Sequence, residues 1–248
     1  MDLIEIEGQK HYLDEETGKY VKITPRNWIK VIADWERMDK NWVRRINKEI
    51  RKLNITPPIP SLYGIKECAQ KGDCMFGCIS DALNSDTTND NNYSITDIRK
   101  IAASKITPEI YELMSNFYKV AYEENEIDWD PSEIKSIEEL KELISEPETI
   151  WGDHQILCFL CDALKFNVII FPDEKSYNNE YDLNYHLYNT TQDFNKNYPT
   201  IMLYYIEDIH FQLVGHFNIN NGKIMTLFSF EELPNEIKEI YKNDIGKL

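Results

Sequence analysis

The chain has 248 residues, with 27 Lys+Arg against 43 Asp+Glu for a formal net charge of −16. Apolar residues at 42% and aromatics at 12% are enough to build a core, which excludes wholesale disorder. The acidic balance argues against nucleic acid and anionic membranes as partners, since both reward basic surfaces; if charge steers anything, it steers a basic partner.

The first residues, Met1 to Glu7, lack the basic start and apolar run of a secretory signal, and no stretch reaches the ~18 apolar residues of a membrane span. A soluble, intracellular, cytoplasmic protein is the expectation. Residues 1–58 read as an N-terminal extension. His11 to Ile23 forms two short strands around a turn at Gly18. Thr24-Pro25 then supplies an N-cap and a first-turn proline, and Trp28, Val31, Ile32 and Trp35 repeat at helical spacing. After a polar break at Asp39-Lys40-Asn41, the repeat continues through Trp42, Val43, Ile46, Ile50 and Leu53. Its basic residues, Arg44-Arg45 and Lys48 to Lys52, read as a solvated face. The prolines from Pro57 to Pro60 end the helix and predict a linker.

From about residue 59 to 248 the pattern predicts an α+β domain. Helices are expected from Cys74 to Leu83, Thr96 to Ser104, Pro108 to Tyr122 and Ser136 to Ile144, the last with Ser136 and Glu139 as a capping box. Asp153 caps a further helix over His154 to Leu164, and Asn167 to Phe171 is a buried strand. Asn178 to Asn197 is polar and predicts a surface loop. Strands follow at Ile201 to Ile206, Phe211 to Phe217 and Ile224 to Phe228, and a helix from Glu231 to Lys242 closes the chain.

The five cysteines are too few and too odd in number for a disulfide framework. Cys158 and Cys161 have CxxC spacing but lie in an apolar run with no second pair, so they read as core thiols; no metal and no cofactor is expected. Cys74 stands apart. It follows Gln70-Lys71-Gly72-Asp73, where a loop meets a helix N-terminus. Free N–H groups and the helix dipole there favour a thiolate, and the backbone of Gly72, Asp73 and Cys74 could receive an oxyanion. A nucleophilic Cys needs a base, and His is the natural one near pH 7. His11 belongs to the hairpin, His186 to the polar loop, and His154 to an exposed first helical turn. His210 sits at a strand junction from which it can reach a cleft, and His216 lies in a strand body. His210 is preferred.

These residues resemble a known family. Gly72-Asp-Cys-Met-Phe-Gly-Cys-Ile79 resembles the nucleophile motif of the ovarian tumour (OTU) cysteine deubiquitinases, usually Asp-Gly-Asp/Asn-Cys-Leu-Phe-Arg. Trp151 to Phe171 resembles that family's Trp-Gly, helix, strand block, and Tyr204 to Val214 its strand, loop and His-aromatic element. The drift toward Asn, Ile and Lys suggests an AT-rich genome, and the resemblance is closest to members from large DNA viruses.

The resemblance implies a papain-like fold, a small central sheet flanked by helices, and cleavage after the C-terminal glycine of ubiquitin or a ubiquitin-like modifier. Cys74 would be the nucleophile, His210 the base, and Trp151 a supporting residue. Ubiquitin conjugates would be the partners of a monomer, with the acidic block Glu123 to Asp128 or the arm Ser132 to Glu148 as contact surfaces. The sequence departs from the pattern twice. Lys71 stands where the family has Asp, and the position that orients the His is Gln212 instead of Asp or Asn. With His216 as base, Asn218 would take the orienting role. A catalytically weak ubiquitin-binding module is the competing reading.

Overall fold

The computed structural model describes residues 3–58, 60–86, 92–125, 127, 129–173, 187–188, 194–206, 209–240 and 242. Of the expected surface loop at 178–197, positions 178–186 and 189–193 lie outside them, and Leu187–Tyr188 form a short strand instead. Strands β1 (Leu3–Ile6), β2 (Gln9–Asp14) and β3 (Lys19–Lys22) form an antiparallel three-stranded sheet. Its second turn places Gly18 at φ +65, where a residue without Cβ is unstrained. β1 goes beyond the two strands expected from the sequence. The helix expected after Thr24-Pro25 is absent: Trp28–Lys30 make one 3-10 turn. Strand β4 (Glu36–Arg37) then leads into α1 (Lys40–Lys52), capped by Asp39, whose carboxylate accepts the N–H of Asn41 at 2.8 Å.

Strand β5 (Tyr63–Lys66) precedes α2 (Cys74–Asn84), and α3 (Ile95–Ser104), α4 (Pro108–Glu123), α5 (Ile137–Ser145) and α6 (His154–Leu164) follow. At α5 the expected capping box is half made: Ser136 Oγ accepts the Glu139 N–H, but the Glu139 carboxylate takes the N–H of Lys135. Then come β6 (Asn167–Pro172), β7 (Leu187–Tyr188), β8 (Thr200–Ile206), β9 (His210–Asn218), β10 (Lys223–Met225), β11 (Leu227–Phe228) and α7 (Asn235–Ile240). The single strand expected at 224–228 is split at Thr226, and the closing helix begins at Asn235 and not at Glu231.

The main sheet runs β4-β5-β9-β8-β6-β7, with β10 on β9 and β11 on β8; among the described residues only β6 and β8 pair in parallel. The architecture is α+β. Both faces of the sheet are covered, and alternate residues along each strand feed two cores. Phe211, Leu213, Leu203, Ile201, Val168 and Ile170 pack beneath α2, α3, α5 and α6. Val214, Met202, Tyr204, Ile169 and Phe171 pack against α1 and α7.

The expected division at residue 58 does not hold as a structural seam. Trp42, Ile46 and Ile50 of α1 belong to the same core as β6, β8 and β9, and the Trp42 indole donates to Pro172 O at 2.7 Å. Trp28 stacks on Phe217 of β9 at 5.0 Å, and β4 pairs with β5.

Candidate active site

Helix α2 is buried along most of its length and carries Cys74 as its first residue. It lies close over the segment that leaves β5: a Cβ on Gly77 would stand 2.8 Å from the Ala69 Cβ, so only glycine permits this approach. The helix N-terminus thereby comes down on the start of β9, and the Cys74 Sγ accepts the N–H of Phe211 at 3.4 Å. Cys78, one turn on, contacts the Phe211 carbonyl at 3.6 Å. Phe211 itself is stacked on Tyr205 across the hairpin at 4.5 Å, which fixes the strand end.

His210 precedes Phe211, so its main chain adjoins the amide that meets the Cys74 Sγ. Its Nε2 lies 2.9 Å from the Glu67 carboxylate. Sequence reasoning missed Glu67. Strand register explains its place. β5 pairs antiparallel with β9 through Lys66↔Leu213, and extending that register by one step sets Glu67 beside Gln212. The Gln212 Nε2 donates to Glu67 Oε2 at 3.1 Å, while its buried Oε1 has no partner among the described residues. The expectation that Gln212 orients the imidazole is therefore corrected: the group on the imidazole is Glu67, and Gln212 holds Glu67. No spacing or motif in the sequence signals Glu67, because its role arises only from strand pairing.

The alternative pair, His216 and Asn218, is not brought to Cys74. His216 lies edge-on to Tyr63 at 4.8 Å, with Glu236 of α7 as its charged neighbour, and burial holds its imidazole below the ordinary value. The Asn218 Oδ1 accepts the N–H of Asn220.

Cys74 is 2% exposed. Burial pushes its thiol above the ordinary value, the N–H groups of Phe211 and Met75 pull it down, and the Glu67 charge pushes it up again. Cys158 is pushed up to about 11 by burial and by the Asp162 charge, and its Sγ lies 3.6 Å from His154 Nε2.

The turn before Cys74 is a 3-10 turn over Lys71–Asp73. Its N–H groups fold back: Asp73 donates to Gln70 O at 3.3 Å, and Cys74 to Lys71 O. Two of the three amides expected to receive an oxyanion, those of Asp73 and Cys74, are thus satisfied internally. Lys71 adopts φ +53, unusual for a residue with a Cβ, and its ammonium meets Glu148 at 2.7 Å. Lys71, at the position of the family's Asp, is tied to the segment that covers the turn. Trp151, on that segment, is 47% exposed, and its ring edge would stand 3.4 Å from a Cβ on Gly72. Beneath the turn, the Asp73 carboxylate meets Arg99 of α3 at 2.6 Å. Of the acidic block Glu123 to Asp128, positions 126 and 128 lie outside the described residues. A cleft of about 960 Å³ lined by Ser85, Tyr198, Met225 and Phe230 contains none of these catalytic candidates.

A scan against protein-family models returns no match, nor does a search of curated proteins. Among solved structures, the chain is similar to an ovarian tumour domain in complex with ubiquitin, at 14% identity over 72% of this chain and 80% of that one, with a TM-score of 0.43. It is similar also to an OTU deubiquitinase from Wolbachia pipientis bound to ubiquitin, at 15% identity over 64% and 98% with a TM-score of 0.41. A third likeness is to the viral OTU domain protease of Qalyub virus, at 17% identity over 61% and 83% with a TM-score of 0.32.

Proposed function

We propose that this chain is a cysteine-dependent isopeptidase of the OTU kind, hydrolysing the bond that follows the C-terminal glycine of ubiquitin or a ubiquitin-like modifier. The observation that carries the reading is the meeting of Cys74, the Phe211 N–H and the His210–Glu67 pair at one end of β9. The three sequence blocks that resemble the OTU pattern supply the elements that meet there.

With Nε2–H donated to Glu67, the imidazole keeps Nδ1 as its basic nitrogen. His210 takes the Cys74 proton as the sulfur attacks the glycine carbonyl, which becomes a tetrahedral oxyanion. Glu67 stabilises the imidazolium that forms, and it fixes the ring tautomer before the reaction. His210 then gives the proton to the departing lysine amine, leaving a thioester on Cys74. Water attacks the thioester, passing its proton to His210, and the Cys74 sulfur leaves as a thiol. The oxyanion takes the Asp73 N–H in exchange for its long 3.3 Å bond to Gln70. The enzyme acts as a monomer on conjugates inside the cell.

The burial of Cys74, which pushes its thiol up, and the inward-turned amides of Asp73 and Cys74 favour a second reading, a ubiquitin-binding module with weak chemistry. A ubiquitin probe carrying a C-terminal electrophile separates the two. The wild-type chain is expected to form a covalent adduct that Cys74→Ala loses. Absence of the wild-type adduct would overturn the enzyme reading, and an adduct that survives in Cys74→Ala would overturn the choice of nucleophile.

A further inference from the structure

Helix α3 places one charged side chain under the nucleophile turn. Arg99 is completely buried. Its Nε donates to Asp73 Oδ1 at 2.7 Å, its Nη1 to Ile144 O at 3.0 Å, and its Nη2 to Gly72 O at 2.9 Å and Ile150 O at 3.1 Å. The guanidinium lies 4.1 Å over the Phe76 ring. Asp73 is its counter-ion, and the same Asp73 Oδ1 accepts the Glu148 N–H at 3.1 Å. A buried guanidinium is tolerated only when paired and hydrogen-bonded, and here the fork geometry ties three chain segments to one point. Helix packing alone asks for none of this, since an apolar side chain would fill the same space.

The Gly72 contact has a directional consequence. In a trans peptide the carbonyl and the next N–H point to opposite sides of the chain. Holding the Gly72 carbonyl down on Arg99 therefore fixes where the Asp73 N–H points. We propose that Arg99 is a positioning residue for hydrolysis at Cys74: it sets the Gly72–Asp73 peptide plane, and with it the amide that receives the oxyanion, without touching substrate. This rests on the cysteine-isopeptidase reading. It accounts for the departure at Lys71, because the turn is braced from beneath by Arg99 and Asp73 where the family pattern has an acidic residue at position 71.

The test compares Arg99→Met, Arg99→Lys and Asp73→Asn with wild type in the full chain. Hydrolysis of a fluorogenic ubiquitin C-terminal amide should lose about 10²-fold in kcat for Arg99→Met, the scale of removing one oxyanion donor, with KM within threefold. Arg99→Lys should recover part of the loss, because an ammonium keeps the charge and not the fork. Iodoacetamide alkylation of the Cys74 peptide should stay within threefold, and amide hydrogen exchange should quicken across residues 68–76 and not across 210–218. A kcat within threefold of wild type in Arg99→Met overturns the proposal. So does a parallel fall in kcat and alkylation with faster exchange across 210–218, which is the mark of a merely structural role. If Arg99→Met does not fold, unchanged kcat in both Arg99→Lys and Asp73→Asn overturns it instead. Should wild type show no hydrolysis, the isopeptidase reading fails separately; exchange confined to 68–76 then still supports the bracing, and unaltered exchange overturns it.

Discussion

Glu67 and Gln212 stand in line behind His210, and only one of them touches the imidazole. Charge matters here, because the imidazolium formed during attack is stabilised by a carboxylate and barely by an amide. Glu67→Gln is therefore expected to lower kcat by roughly 10-fold or more, while Gln212→Ala, which leaves the contact to His210 in place, costs much less. Steady-state hydrolysis of a ubiquitin C-terminal amide measures both, and equal losses would sink the assignment. A second expectation concerns Cys74 itself. Its thiol is raised from 9.0, chiefly by burial, so alkylation of free enzyme should still be climbing as pH passes 9. A plateau near pH 7 would instead reveal a standing thiolate. His216 has the opposite relation to pH. Its imidazole is depressed below 6.5 by burial, although Glu236 pulls it up. The unfolded chain takes up a proton as pH falls through 6.5 and the folded chain resists, so stability is full above 6.5 and is lost on acidification. The melting temperature should drop between pH 7.5 and 5.5, and His216→Phe should flatten that drop.

Elements differ in how openly the sequence declares them. Helices α3 to α6 were legible because each begins at a Ser, Thr or Asp that accepts a first-turn N–H, and each carries one apolar face. Cys74 at the head of α2 and His210 at the head of β9 were legible from a different local sign, a polar turn running into an apolar segment. Residues 24–35 misled, because Trp28 and Trp35 are spaced by what they meet across the chain: Trp28 stacks on Phe217, and Trp35 packs against Gly64 and Gly215. Glu67, Arg99 and Glu148 were illegible. Their partners lie far along the chain, and only strand register and helix packing join them. The same holds for α1. Its exposed Arg44, Lys48, Arg51 and Lys52 gave it the look of an appendage, while its hidden side completes the second core. Trp42→Ala is expected to cost about 3–5 kcal/mol, the usual range for emptying a buried aromatic site. Deleting residues 1–58 should unfold the chain instead of freeing a catalytic domain. Denaturant unfolding of the point variant and the circular dichroism of the truncation check both, and a folded, active 59–248 fragment would restore the boundary at 58.

At the scale of the whole molecule, a net charge of −16 makes a negative field around the protein that reaches about 8–10 Å at physiological ionic strength. Such a field speeds encounter with a positively charged partner and slows it with an acidic one. Under the proposed function the partner is the basic tail that leads into the ubiquitin C-terminus, and exposed Glu146 and Glu148 lie on the segment covering the nucleophile turn. Steering acts on association, so kcat/KM should fall several-fold between 50 and 500 mM NaCl while kcat holds nearly constant. Glu146→Lys should shallow that dependence without changing kcat, since Glu146 makes no contact with Cys74, His210 or Glu67. Glu148 suits this test poorly, because its carboxylate is tied to Lys71 and its N–H to Asp73. A kcat/KM that ignores salt would mean that the acidic surface serves solubility alone. A kcat that falls with salt would place the effect on the chemistry, where the Lys71–Glu148 pair is the exposed ion pair open to screening beside the turn.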